Sequence, residues 1–156
     1  MKSFYDYVKE HGNDVKFEFS VWNGDKCKHD FVELEAKLTE KDEFLLLEEG
    51  KIVHVIENDY DLIDYIEEKY KAEIRICDYC GGVMQEGVTD DEADFYNHVE
   101  CFDKDMDERY GKGNWRNIQE DENGEVNENW LGGFYEYRED ENSEWEPEPS
   151  YYTEWY

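Results

Sequence analysis

Cys77 and Cys80 stand two residues apart, and His98 and Cys101 repeat that interval after a loop of 17 residues, 81 to 97. Thiolates and imidazole are the donors that soft divalent metals take. Two such side chains at this spacing can face one ion when the backbone turns tightly between them. Gly81-Gly82 follows the first pair directly and offers the positive-φ freedom such a knuckle wants. The second pair sits where a helix is expected to start, which completes a Cys3His set suited to tetrahedral Zn²⁺. A loop long enough for a β-hairpin between the pairs gives the layout of a treble-clef or ribbon-like zinc site. Four protein ligands leave no position for water, and no His-Glu-x-x-His helix occurs. A structural zinc is therefore expected, ahead of a metal hydrolase. The alternative is three ordinary cysteines and a surface histidine.

The other chemistry-bearing residues say less. Cys27 and His29 form a Cys-x-His pair near the first turn, with no evident partners for a second metal. His54 falls in an apolar alternation and reads as an edge or rim residue. There is no G-x-S-x-G, and neither Gly81-Gly82 nor Gly132-Gly133 fits a phosphate-binding fingerprint. Four cysteines could also form two disulfides in a secreted protein, but the start MKSFYDYVKEHG has no apolar signal region, so metal binding in a cytoplasmic setting is the expectation. No stretch approaches the length of a membrane span.

The strongest global signal is charge. The 156 residues hold 44 Asp+Glu against 16 Lys+Arg, a net of −28. Such acidity suggests disorder, but thirteen Tyr, eight Phe and five Trp supply enough large rings to build a core. The acid is uneven: residues 1–70 carry −10 and residues 71–156 carry −18. Asp103, Asp105, Asp107 and Glu108 load the helix expected after the metal ligands. Glu139, Asp140, Glu141, Glu144, Glu146 and Glu148 load the last stretch, with Trp145 among them. A surface of this sign is repelled by nucleic-acid phosphates. It suits a basic partner, either as a solvated face or as carboxylates standing where phosphates would stand in a basic channel.

Elements that position these residues can be read from periodicity. Ser3 and Asp6 form a capping box for a helix over residues 3–11, with Phe4, Tyr7 and Val8 on one face. Strict alternation marks strands over 15–21 and 32–38, followed by strands over 44–47 and 52–56 around the turn Glu48-Glu49-Gly50-Lys51. Asn58 or Asp59 then caps a helix to about Tyr70. Residues 74–76 read as a short strand, residues 91–110 as helical in part, Asn123-Gly124 as a hairpin turn, and residues 134–137 as a strand. The expected fold class is α+β: an N-terminal helix, an antiparallel four-stranded meander and a helix over 1–72. A zinc-knuckle module over 73–113 and an acidic, aromatic-rich hairpin or tail over 114–156 follow.

The run CDYCGGVMQEG, the helix start bearing His98 and Cys101, and the ending SYYTEWY together resemble small zinc-knuckle proteins of phages and mobile elements. The likeness spans residues 74–110 and the last half-dozen; His98 stands where that family tends to place a cysteine. By composition alone, the chain is similar to phage DNA-mimic antirestriction and anti-CRISPR proteins. These resemblances imply an inhibitor of a host defence nuclease that fills a basic channel, with zinc as structural support. A zinc-stabilised acidic adaptor for some other protein partner is the alternative.

Overall fold

The structure, a computed structural model, describes residues 2–90, 95–111, 115–117, 135–137 and 150–155. The chain divides into two compact units, Met1–Gln85 with Trp155–Tyr156, and Glu86–Glu154. The described residues form an α+β protein with three helices and an antiparallel four-stranded sheet.

Helix α1 (Phe4–Glu10) opens with the capping box: the Ser3 side chain accepts from the Asp6 amide, and the Asp6 carboxylate accepts from the Ser3 amide. Strands β1 (Asp14–Asn23), β2 (Lys28–Leu38), β3 (Phe44–Glu48) and β4 (Lys51–Val55) then run as a meander in the order β1-β2-β3-β4. The β3–β4 turn uses Glu49 and Gly50 at φ 50° and 79°, the positive-φ pair that matches strand twist. Helix α2 (Asp59–Tyr70) starts at Asn58, whose side chain accepts from the Asp61 amide.

Alternation decides which face of the sheet is buried. Phe19, Leu34, Ala36 and Leu46 point to one side, where Phe4 and Val8 of α1 and Leu62 and Ile66 of α2 close the core. Rings fill much of it: Phe4 meets Phe17 edge-on at 5.5 Å and lies 5.7 Å from Phe44. The first turn of α2 is also a joint. Asp59 accepts the Phe4 amide at 3.0 Å, tying the start of one helix to the start of the other. Desolvation holds the Asp59 carboxyl above its ordinary range, against the lowering effect of that amide.

Strand β5 (Arg75–Ile76) pairs with β6 (Val83–Met84) to make a small hairpin whose loop carries the first cysteine pair. Gln85 follows, and its side-chain amide takes both backbone groups of Ser20 on the edge strand β1: Oε1 accepts the Ser20 amide at 2.6 Å and Nε2 donates to the Ser20 carbonyl at 3.0 Å. Nε2 also donates to the Glu73 carbonyl. Trp155 donates its backbone N–H to the Gln85 carbonyl at 2.7 Å, and the Arg75 guanidinium lies 5.6 Å from its ring.

In the second unit, β7 (Glu86–Asp90) pairs antiparallel with β10 (Ser150–Glu154), and helix α3 (Val99–Tyr110) ends at Gly111 with φ 85°. Val88, Phe102 and Met106 form its buried cluster, with Phe95 against them. Spacing expects a hairpin between the two ligand pairs. Among the described residues an antiparallel bridge from Val88 to Asn97 returns that loop, while β6 pairs with β5 and β7 takes its strand partner from far along the chain. Strands β8 (Trp115–Asn117) and β9 (Tyr135–Tyr137) pair with each other. The Asn123-Gly124 turn lies outside the described residues. Among the described residues, no helix is long and apolar enough to cross a membrane.

His54 on β4 contacts α2 through Nε2, 2.8 Å from Asp61 Oδ2, and stacks on Tyr65 at 4.3 Å. Desolvation works to raise the Asp61 carboxyl. The Glu57 amide and His54 together outweigh it, so the group is held below its ordinary range. A depressed folded pKa stabilises the fold above the unfolded value, and that stabilisation is lost as pH falls through the folded one. Asp61→Asn is therefore expected to lower stability by about 1–2 kcal/mol at neutral pH. Urea melts recorded from pH 7 down to 3 should show this deficit shrinking in acid; a deficit constant with pH would show that the charge plays no part.

Candidate metal centre

The first knuckle is built by backbone hydrogen bonds around Cys77 and Cys80. Cys77 donates its amide to the Gly82 carbonyl at 2.9 Å, and Gly81 donates to the Cys77 carbonyl at 2.8 Å. The Gly82 amide points at Cys80 Sγ, 3.3 Å away. Such N–H donors favour a thiolate over a thiol. Cys77 is fully buried and Cys80 half-buried.

Gly81 is required here for two reasons. Its φ is +82°, and a Cβ at this position would collide with the Ser3 carbonyl oxygen. The chain entering α1 therefore runs directly over the knuckle. The Lys2 amide fixes that crossing by donating to the Asp78 carbonyl at 3.0 Å.

The second pair is set by the start of α3. His98 is the N-cap, with no side-chain capping bond, so its imidazole is not used to close the helix. Its carbonyl accepts the Phe102 amide at 2.8 Å, which starts the helical ladder. Cys101 lies in the first turn, and its Sγ is 3.7 Å from His98 Nδ1. Phe102, beside it, anchors the turn by stacking on Phe95 at 6.1 Å.

Cys77, Cys80, His98 and Cys101 come together: one ligand atom from each lies within 4.8 Å of every other. Zinc held by such a set is tetrahedral, with metal–sulfur bonds of about 2.3 Å. The set is compatible with a zinc module, and its soft donors argue against Mg²⁺ or Ca²⁺. All four cysteines are free of disulfides. Cys27 and His29 do not join a metal-ligating group among the described residues; Cys27 Sγ is turned toward the Gly24 carbonyl and His29 meets Trp22 edge-on.

Of the acidic residues expected to face a partner, Asp103 and Glu108 are exposed on α3, and Asp105 and Asp107 are half-buried. Asp105 accepts a hydrogen bond from the Asn97 side chain at 3.2 Å. Desolvation, and then the charge of Asp107, hold the Asp103 carboxyl above its ordinary range. Glu139, Asp140, Glu141, Glu144, Trp145, Glu146 and Glu148 lie outside the described residues. Sequence reasoning misses two supporting residues. Asn97, fully buried, exchanges both backbone bonds with Val88 and so fixes the backbone directly before His98. Thr89 donates its hydroxyl to the Phe95 carbonyl at 2.7 Å and braces the same loop. Neither has a periodic or motif signal; only the adjacency of Asn97 to His98 hints at its role.

Protein purified without chelator is expected to carry about one transition-metal ion per chain by elemental analysis, and less than about 0.2 equivalents would rule the centre out. Cys80→Ser should lose that ion. Gly81→Ala should destabilise the fold by more than about 2 kcal/mol in urea melts, because both the backbone angle and the Ser3 contact oppose a side chain. No family model, curated protein or solved structure matches the chain.

Proposed function

We propose that this protein is a non-enzymatic acidic binding module, stapled by a structural Zn²⁺ in a treble-clef-like knuckle, that occupies a basic nucleic-acid-binding surface of a partner protein. The observation that carries this reading is the convergence of four protein ligands, three of them cysteines. A saturated Cys3His set gives a metal no open position for water or substrate, so its role is to hold structure. What remains for function is the surface, and the surface is acidic: −28 overall, with −18 in residues 71–156.

Carboxylates on a rigid helix can present charge at fixed spacing, as a phosphate backbone does. A basic channel evolved to hold nucleic acid would attract such a surface at long range and release it as salt rises. The most specific form of this proposal is a phage- or mobile-element-encoded inhibitor of a host defence nuclease, a CRISPR effector or a restriction enzyme. Those nucleases hold nucleic acid in positively charged channels. A second reading, an adaptor that docks through apolar contacts, draws on the exposed Trp22, Phe31, Ile52 and Val55.

Immobilised protein loaded with nucleic-acid-free bacterial lysate should retain a basic partner that duplex DNA elutes. The purified protein should then block nucleic-acid binding by that partner. Retention that resists both DNA and salt would move the adaptor reading into first place. Alone, the protein should give no shift of duplex DNA at moderate salt. The exposed acids of α3 repel one another, so removing charge there relieves repulsion within the free protein. Asp103→Asn with Glu108→Gln should therefore leave the melting temperature level or higher while partner binding weakens. Neutralising the exposed Glu40, Glu43, Glu49 and Glu57 supplies the control.

A further inference from the structure

The outer face of the meander carries a pattern that the metal centre and the α3 acids do not use. Residues on this face can be placed in rows from the strand register. Asp14 stands opposite Lys37 and Lys16 opposite Glu35, so each of those rows is neutral. The next row sets Glu18 directly opposite Glu33. Side chains opposed in this way lie about 5 Å apart at Cβ, and like charges there are destabilising. Both carboxylates are exposed and neither makes an ion pair among the described residues. In this row two acids stand directly opposite each other, whereas Asp14 and Glu35, which also approach one another, each face a lysine across the strands.

Apolar groups flank it. Phe31, 67% exposed, occupies the adjoining row opposite Ser20, and Trp22, 57% exposed, follows in the row after. Farther across the sheet, in the rows of Glu35 and Lys37, Ile52 and Val55, 60% and 55% exposed, lie opposite Leu47 and Leu45. An aromatic corner, a doubly negative row and an aliphatic corner thus share one open sheet face. A second copy of the chain, itself at −28, is repelled from such a face, and so is nucleic acid.

We propose that this face docks a cationic, amphipathic segment of a protein partner, which places an arginine between Glu18 and Glu33 with its guanidinium against the Phe31 ring. The planar guanidinium can accept two carboxylates edge-on while its face rests on the aromatic ring. Aliphatic side chains of the same segment cover Ile52 and Val55. This surface lies on different elements from the α3 acids and is independent of the nucleic-acid-channel proposal.

The probe is a fluorescein-labelled ten-residue peptide of alternating Arg and Leu, titrated by anisotropy with the full chain at physiological salt. Saturable binding is expected. Glu18→Gln with Glu33→Gln should weaken it about tenfold or more, and Phe31→Ala about fivefold, while Glu40→Gln with Glu43→Gln should change it less than about twofold. The doubly neutralised free protein should melt at the same temperature or higher, since a repulsive row has been relieved. Absence of binding, or an equal loss from both acid pairs, would overturn the proposal. A lower melting temperature in the Glu18/Glu33 variant would overturn its premise that the row is repulsive. Neither outcome bears on Asp103 and Glu108.

Discussion

Twenty-eight uncompensated negative charges in 156 residues push the chain apart at neutral pH. Pairing cannot answer this, because cations are too few, and an exposed ion pair such as Lys2 with Glu10 is of the kind that contributes little. Two other devices do. One is a core rich in rings, in which Phe4, Phe17, Phe19 and Phe44 gather large apolar area from few positions. The other is placement of acids where backbone dipoles welcome them. Asp6 accepts from the Ser3 amide at the start of α1, and Asp61 sits in the first turn of α2, where the unpaired amides of a helix start favour negative charge. The carboxylates that cannot be so placed are left at the surface.

The candidate metal knuckle is tied into the same fold. Its backbone is not a free-standing loop, since Lys2, Ser3 and Gly81 lock it to the start of α1, and the hairpin that carries it ends at Gln85 against β1. An ion held by Cys77 and Cys80 would therefore also hold the first helix against the knuckle. Ligand binding of this kind adds directly to folding free energy, which a strongly self-repelling chain can use.

Local patterns carried most of the first unit into view from sequence. The capping box at Ser3 and Asp6, the alternation through β1 and β2 and the turn at Glu49-Gly50 each depend on neighbours a few residues apart, so they survive in the one-dimensional record. The four ligands were legible for the same reason: two short intervals, with glycines after the first. What was not legible depends on contacts far along the chain. Gln85 reaches Ser20 across 65 residues, and β7 finds its partner in β10, some sixty residues away. A glutamine in a polar stretch looks like any other, and period-2 alternation says that a strand exists without saying which strand lies beside it. The need for Gly81 was half visible: its backbone freedom followed from the knuckle, but the Ser3 carbonyl above it did not.

A sheet with two open edges can grow in both directions and, in principle, without end. Here the middle of the β1 edge is occupied by the Gln85 amide, which presents a donor and an acceptor to Ser20 as a neighbouring strand would. An incoming strand would have to expel that amide before pairing there, whereas β4 at the opposite edge carries no such plug among the described residues. The Gln85 amide thus blunts the middle of the β1 edge against strand addition, using a side chain where other sheets use a proline or a bulge.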